Sequence, residues 1–308
     1  MKVYWGESVP KKAEFFLHPF LPTTPISLGS DLSTLPPPTP PLFFLKKQAL
    51  PDFSDWKELI ERAIHNPDLQ KVVLARQTTL QLTSVPDPFS IAAALELKSK
   101  GAVVFCTSLP DGSFLLGATP ERLFSKQGRQ ICVEALAGTK PLGKEKELLS
   151  SEKDLREFWF VREHFKIKLA PFLDSPLQFS TPLSHETATL HHLKSVGTAT
   201  LRANVTEADL IQALHPSPAL LGTPSESAHQ FLQAHEPFAR GFYGGLIGWS
   251  CGDCCDWRVV IRCCHIYGSI AQLYAGTGIV QGSNPEEEWA ELETKQSLYK
   301  DIFHAASD

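Results

Sequence analysis

The segment AVVFCTSLPDGSFLLGAT, residues 102–119, contains two apolar runs on either side of Asp111 and Gly112. Asp-Gly between two runs of this kind is the strongest short-range signal for a β-hairpin. Another pair of apolar runs flanks Gly128 in the same way. Hairpins in series, rather than strands that alternate with helices, indicate an α+β fold with large antiparallel sheets.

Hydrophobic periodicity outlines the other elements of the chain. Apolar residues at helical spacing predict helices over 52–65, 91–98, 151–170, 206–214, 225–235 and 286–303. Short apolar runs predict strands over 71–76, 240–249, 258–266 and 269–280.

The composition is that of an ordinary globular protein. Of 308 residues, 43% are hydrophobic and 20% charged, and the formal net charge is −5. This excludes global disorder, and it argues against a nucleic-acid binder, which needs a basic surface. Neither a membrane span nor a signal-peptide core is visible, because the apolar runs are too short. We expect a soluble cytoplasmic monomer with no nucleic-acid or membrane partner.

Residues 1–50 differ from the rest in their proline content. The run PPPTPP at 36–41 cannot form a helix or an interior strand, because proline lacks the amide donor and restricts φ. We predict a proline-rich N-terminal arm over 1–50 that packs along the surface of a catalytic domain over 51–308. A polyproline ligand for an unknown partner is the alternative.

Cysteine is the most unusual feature of the composition. Five of the seven cysteines lie between Cys251 and Cys264. A zinc site is one interpretation, but the spacing does not match the usual pairs of CxxC motifs. Buried free thiols in and beside a strand are the simpler interpretation.

Two predicted helices each carry a pair of acidic residues one turn apart. Asp154 and Glu157 have this spacing, and so do Glu288 and Glu291 near the start of the last helix. Such pairs repel by roughly 0.2–0.5 kcal/mol, and a bound cation would reverse the sign. Carboxylate oxygens suit a hard ion such as Mg²⁺. The alternative is two solvated helix faces, with Glu291 and Lys295 as an ordinary surface pair.

Lys71 and Glu121 are candidates for a base and an acid. Lys71 opens an otherwise apolar strand, and Glu121 follows Pro120 in a turn that sets its direction. Facing each other across a pocket, they would form a proton-transfer couple, provided that burial or a nearby cation lowers the lysine pKa. The alternatives are a solvated lysine at a sheet edge and a turn carboxylate paired with Arg122.

Short motifs along the chain occur together in one known family, in that family's order. They are KVVLAR, TPERLF, LAGTKP, EKDLREF, HHLKS, HPSPA, RGFYGGLIGW, VVIR, YAGTGIV and NPEEEWAELETK. From about Phe43 to Phe303 the chain resembles the chorismate-utilising enzymes. These include isochorismate synthase, salicylate synthase, and component I of anthranilate synthase and aminodeoxychorismate synthase. The resemblance implies two large antiparallel β-sheets packed together, with helices on the outside.

The resemblance also implies a Mg²⁺ ion between the acidic helices and the ring carboxylate of chorismate. By motif position, Glu157 and Glu291 would bind the ion directly. Asp154 and Glu288 would support them through waters.

The substrate contacts are implied in the same way. Arg262 and Tyr243 would hold the enolpyruvyl carboxylate, together with the backbone at Gly278. The other residues implied to lie at the substrate are Thr139, His192 and Lys295.

Two positions of the sequence indicate which branch of the family this chain resembles. Relatives that add water at C2 have a lysine where this chain has Lys71, and those that add ammonia there have glutamine. Relatives that aminate C4 have a nucleophilic lysine where this chain has Ala137. The resemblance therefore implies an isochorismate synthase, closest to the type of the menaquinone pathway. Lys71 would deprotonate the attacking water, and Glu121 would protonate the departing C4 hydroxyl.

Several alternatives stay open. Salicylate synthase uses the same residues and then eliminates pyruvate. A non-catalytic chorismate-binding scaffold and a zinc protein built on the cysteines are the others. The chain also departs from the family pattern: its N-terminal part is short, Phe158 replaces the usual histidine or asparagine, and SCGDCCDW at 250–257 replaces an acidic, glycine-containing loop.

Overall fold

Two nine-stranded sheets with helices form the part of the chain that the computed structural model describes, residues 1–21, 24–188 and 190–306. The predicted arm includes Pro22, which lies outside the described residues. The two sheets packed together, with helices, confirm the α+β prediction.

The bounds of the elements are as follows. The helices are α1 (Phe53–Ile64), α2 (Pro88–Glu96), α3 (Glu145–Ser150), α4 (Glu152–Leu169), α5 (Glu207–Leu214), α6 (Ser225–His235) and α7 (Pro285–Gln296). The strands are β1 (Val3–Trp5), β2 (Glu14–His18), β3 (Ile26–Gly29), β4 (Leu42–Leu50), β5 (Lys71–Leu82), β6 (Val103–Ser108), β7 (Phe114–Thr119), β8 (Arg122–Gln127), β9 (Gln130–Pro141), β10 (Gln178–Phe179), β11 (Leu183–Glu186), β12 (Leu190–Thr200), β13 (Gly222–Thr223), β14 (Leu246–Cys251), β15 (Cys254–Val259), β16 (Cys263–Tyr267), β17 (Ile270–Val280) and β18 (Phe303–Ala305).

The strand order separates the chain into two sheets. The first sheet has the order β1-β6-β7-β16-β17-β5-β4-β18, with β13 paired to β5. The second has the order β10-β12-β9-β8-β15-β14-β2-β3, with β11 paired to β12. The predicted hairpin at 102–119 is the antiparallel pair of β6 and β7.

Alternating side chains on the strands explain why the sheets pack as they do. Phe105 and Leu115 of the first sheet form a buried cluster with Phe15, Leu17 and Ile247 of the second. The intervening residues of β6 and β7 point the other way and pack against α2. Helix α4 packs in turn against β9 of the second sheet. Because strand side chains alternate between faces, each sheet can contact its partner sheet and its helices at once.

Two of the connections at which the chain changes sheets lie side by side. The first, between β7 and β8, contains Glu121, and the second, between β15 and β16, contains Arg262. The amide of Ala118 donates to the carbonyl of Arg262 at 3.1 Å, and the amide of Val259 donates to that of Glu121 at 3.0 Å. The predicted single strand over 258–266 is therefore wrong, because it is two strands of different sheets.

Polar caps begin the two acidic helices. The Ser151 side chain accepts from the Asp154 amide at the start of α4, and the Asn284 side chain accepts from the Glu287 amide at the start of α7. Helix α7 ends at Gln296, earlier than predicted, and a 3₁₀ turn over Ser297–Tyr299 leads into β18. None of the helices in the described part of the chain has the length and apolar character that a membrane span requires.

The first fifty residues do not form an arm along the surface. They supply β1 to β4, and β2 lies between β14 and β3 inside the second sheet. Val3, Phe15 and Leu28 are fully buried. The proline run at 36–41 carries no strand, as its composition requires. The division of the chain into domains at residue 50 stays a prediction.

Phe158 shows what α4 contributes to stability. Its ring is fully buried in the cluster between α4 and the second sheet. We expect Phe158→Ala to lower the free energy of unfolding by about 3–5 kcal/mol, because it removes a large apolar side chain and leaves a cavity. Urea denaturation would measure the loss. Phe43→Ala, at a half-exposed ring, is the control and should cost much less; equal losses would contradict this account of the core.

Candidate active site

Lys71 lies at the start of β5 and is enclosed on both sides. Val280 of β17 is its partner on one side and Thr223 of β13 on the other. The residue is 1% exposed, and its Nζ lies 2.9 Å from Oε1 of Glu157. The alternative of a solvated lysine at a sheet edge is therefore wrong.

Gly278 makes room for this ion pair. A Cβ atom at this position would lie 2.1 Å from Oε1 of Glu157 and 2.7 Å from Cε of Lys71. Since no side chain fits there, β17 can approach α4 and β5 closely only with glycine at this place. The predicted backbone contact at Gly278 thus lies directly beside Lys71 and Glu157.

Glu121 lies in the connection between β7 and β8 and is 7% exposed. Burial raises the pKa of Glu121 to about 7, although the positive charges of Lys71, Lys295 and Arg262 oppose the shift. The alternative of a turn carboxylate paired with Arg122 is wrong, because the Arg122 guanidinium instead contacts the carboxylates of Asp256 and Glu134. Such a carboxyl is half protonated near neutral pH, as a general acid requires.

Arg262 lies in the connection between β15 and β16 and contacts a buried histidine. Its Nη2 lies 3.3 Å from Nε2 of His192. Since a guanidinium only donates, His192 accepts at Nε2 and carries its proton on Nδ1, which lies 3.2 Å from the carbonyl oxygen of Gly138. Burial and the charge of Arg262 hold the pKa of His192 well below its usual range, so the ring is neutral. Thr139 Oγ1 lies 3.3 Å from the same Nδ1.

Tyr243 is another buried residue of this region. Its ring stacks on Tyr274 with 5.2 Å between centroids and an angle of 12°. A Cβ atom at Gly276 would lie 2.5 Å from the Tyr243 hydroxyl, so the phenol passes directly over the backbone of β17. Burial raises the pKa of Tyr243 well above its usual value, and the hydroxyl stays protonated.

The acidic pair of α7 contacts Thr277 of β17. Oγ1 of Thr277 lies 2.6 Å from Oε2 of Glu288 and 3.0 Å from Oε1 of Glu291. Glu288 is 1% exposed and Asp154 is 3% exposed, so these are not two solvated helix faces. The Thr139 amide donates to Oδ1 of Asp154 at 3.2 Å, which joins this helix to the loop beside the cavity.

Each of the four carboxylates is paired with a lysine. The pairs are Lys71 with Glu157, Lys140 with Asp154, Lys153 with Glu288 and Lys295 with Glu291. The pair of Glu291 and Lys295 is mostly buried, and Lys295 also donates to the carbonyl oxygen of Gly276 at 2.7 Å. The predicted ordinary surface pair is therefore wrong.

The donor set fits a hard cation in its chemistry. Carboxylate oxygens from both helices converge on Thr277 and Gly278. Such oxygens are the ligands that Mg²⁺ prefers. Within the described residues, no three acidic, histidine or cysteine side chains are gathered as a metal site, and each of the four carboxylates is instead paired with a lysine.

A small cavity of about 80 Å³ joins these features. The predicted residues that line it are Glu121, Thr139, Glu157, His192, Tyr243, Arg262, Gly278 and Lys295. The other four, Lys71, Asp154, Glu288 and Glu291, are not part of its lining and lie behind it against Glu157, Thr139 and Thr277. All the predicted residues are thus brought to one region of the molecule.

Two residues of this region were missed by the sequence prediction. Arg240 is 6% exposed, and its guanidinium donates to the carbonyl oxygens of Val73 and Leu220 at 2.7 and 2.8 Å. It is the first residue of the motif RGFYGGLIGW, and this position is a sequence signal that could have identified it as a residue of the site. Thr277 lies in the motif YAGTGIV in the same way, but its contact with the acids of α7 depends on that helix folding against β17.

The chain was compared with known proteins. A family model described as "Chorismate binding enzyme" matches residues 28–301. Isochorismate synthase 2, chloroplastic, of Arabidopsis thaliana is 38% identical over 253 residues, which are 79% of this chain and 45% of that protein. The chain therefore spans about half the length of this curated relative.

Two solved structures resemble the fold. The 2,3-dihydroxybenzoate-specific isochorismate synthase DhbC of Bacillus anthracis is 30% identical, with a TM-score of 0.85 over 94% of this chain and 83% of that one. MenF of Escherichia coli, a menaquinone-specific isochorismate synthase, is 26% identical, with a TM-score of 0.85 over 94% and 78% of the two chains.

Proposed function

The chain belongs to the chorismate-binding enzyme family, and we propose that it is a Mg²⁺-dependent isochorismate synthase that converts chorismate to isochorismate. The observation that carries the proposal is the placement of Lys71 and Glu121. Both are buried, Lys71 lies against Glu157, and Glu157 lines the same cavity as Glu121. A base and an acid in this arrangement support a coupled proton transfer.

The proposed reaction is an isomerisation in which one water enters and one leaves. The Lys71 amine takes a proton from a water whose oxygen bonds to C2 of chorismate. The ring double bonds shift, the bond between C4 and its hydroxyl oxygen breaks, and Glu121 donates its proton to the departing oxygen. Proton exchange then restores both groups. Each transfer contributes roughly 10²–10⁴-fold to the rate.

The positive wall of the cavity supports binding of a dicarboxylate. Arg262 and Tyr243 are proposed to hold the enolpyruvyl carboxylate. Burial lowers the pKa of Arg262 to about 10, which leaves the guanidinium charged at neutral pH. The neutral ring of His192 accepts one hydrogen bond from the guanidinium of Arg262. This contact helps to orient the remaining N–H groups of the guanidinium toward the cavity. Thr139 is proposed to contact the ring substituents.

Glu157 and Glu291 are the proposed direct ligands of Mg²⁺, with Asp154 and Glu288 in support. When bound, the ion would neutralise the charge of the ring carboxylate and orient the ring. The role of Thr277 is to hold Glu288 and Glu291 together by its hydroxyl. A cation on Glu157 would also release the Lys71 amine from its ion pair.

The rival hypotheses have less support. A binding-only scaffold has no use for a buried carboxyl in the cavity and a buried lysine directly behind its lining. A zinc protein built on the cysteines would need at least three of their thiols gathered together, and the described residues contain no such group. Cys255, Cys263 and Cys264 are buried, in line with the simpler interpretation, while Cys251 and Cys254 are half-buried.

The test is to incubate the purified protein with chorismate and to identify the products by chromatography, with Mg²⁺ and after chelation. We expect isochorismate as the only product with Mg²⁺. After chelation the rate of its formation should fall by about 10²-fold or more, because the charge of the substrate carboxylate is then not neutralised. The rate should recover when Mg²⁺ is restored. Salicylate with pyruvate would identify a salicylate synthase. Bound but unconverted chorismate would favour a scaffold.

A further inference from the structure

The backbone of Arg262 has an unusual conformation that needs an explanation. Its φ is +50°, in the left-handed region that residues with a Cβ atom rarely adopt. The residue is 8% exposed and lies where the chain passes from the second sheet to the first. Such a conformation persists only where its surroundings hold it in place.

Two hydrogen bonds hold the carbonyl group of Arg262. The amide of Ala118 donates to it at 3.1 Å, and the hydroxyl of Tyr299 donates to it at 2.9 Å. Gly117 leaves space for this oxygen, since a Cβ atom there would lie 2.8 Å from it. The first bond is part of the connection between the sheets, whereas the second comes from a side chain at the end of α7.

Tyr299 is well suited to this role. It is 2% exposed, and its ring stacks on Phe303 at an angle of 16°. Burial raises the pKa of Tyr299 well above its usual value, so the hydroxyl keeps the proton that it donates. The residue belongs to the 3₁₀ turn after α7, the helix that carries Glu291 and Lys295.

We propose that Tyr299 is a positioning residue that fixes the backbone of Arg262 and thereby aims its guanidinium at a substrate carboxylate. The direction of the Cα–Cβ bond follows the local backbone, so relaxation of φ would turn the side chain away from His192 and the cavity. The same hydroxyl ties the arginine to α7, so the anion-binding group and the proposed metal-binding helix are held in one arrangement. The proposal rests on the proposed function.

The test is Tyr299→Phe, which removes the hydroxyl and keeps the ring. We expect the Kd for chorismate, measured by titration calorimetry with Mg²⁺, and the KM to rise about tenfold, the effect of one lost hydrogen bond. The value of kcat should change less than KM. Tyr267→Phe, at an exposed ring on β16, is the matched control and should leave both constants unchanged.

A double-mutant cycle separates positioning from general destabilisation. In an Arg262→Ala background, Tyr299→Phe should not weaken chorismate binding further. Equal weakening in both backgrounds, or an unchanged Kd in Tyr299→Phe, would overturn the proposal.

Amide hydrogen exchange gives a readout that needs no substrate. The segment 259–263 should exchange faster in Tyr299→Phe than in the wild type, and not in Tyr267→Phe. If the wild type neither binds nor converts chorismate, the proposed function fails. Unchanged exchange would show separately that Tyr299 does not hold Arg262.

Discussion

Lys71→Ala should lower kcat by roughly 10²–10⁴-fold, because it removes the proposed base that deprotonates the attacking water. The amine is buried at the start of β5 and lies against Glu157. Loss of its charge also leaves that carboxylate without its lysine, so the variant should be assayed at saturating Mg²⁺. Single-turnover kinetics with chorismate would measure the chemical step directly.

The control for this experiment is another lysine in an ion pair. Lys57→Ala removes a half-exposed amine that pairs with Glu286 on the surface and should keep wild-type kcat. Lys71→Met, which retains most of the side-chain volume, guards against a loss that comes from the packing of β5. Circular dichroism and thermal melting should show that each variant is folded. Activity within about threefold of wild type in folded Lys71→Ala would refute the assigned role.

Glu121→Gln should also abolish turnover, by roughly 10²–10⁴-fold in kcat, because glutamine has the same shape but cannot donate a proton to the departing hydroxyl. Chorismate binding should change little, since the proposed contacts to its carboxylates come from Arg262 and Tyr243. Glu58→Gln, at an exposed position on α1, is the matched control. A variant that binds chorismate and still turns it over at the wild-type rate would show that another group is the acid.

The pH dependence gives an independent test of Glu121. Burial raises its pKa to about 7, so the acid is protonated below that value and ionised above it. If the protonated form donates to the leaving hydroxyl, kcat/KM should fall as pH rises through about 7. The step should be absent from the residual activity of Glu121→Gln. A profile that instead rises through this range would assign Glu121 the opposite role.

Local signals predicted many elements well. The Asp111-Gly112 pair predicted the hairpin of β6 and β7, and the predicted helix over 225–235 has the bounds of α6. These elements depend on turn chemistry and on periodicity within a short segment, and both can be recognised without the rest of the chain.

Non-local structure was harder to predict. RVVIRCCHI at 258–266 favours strand throughout and contains neither glycine nor proline, so nothing in it marks the change of sheet at Arg262. Strands β1 and β2 were missed because they are short and because their partners β6 and β14 lie far along the chain. Pairing with a distant strand leaves little trace in the local pattern.

For the proposed site, local pattern and motif position selected Lys71, Glu121 and the four acidic residues, and motif position alone selected Arg262, because residue type and order along the chain are properties of the sequence. Whether these groups meet was decided only by the tertiary structure. Two neighbouring connections between the sheets bring Glu121 and Arg262 together, and Thr277 joins the acids of α7. The burial that raises the pKa of Glu121 is likewise a result of packing. Long-range packing sets distance, solvent exposure and charge environment, and these quantities turn a list of residues into a site.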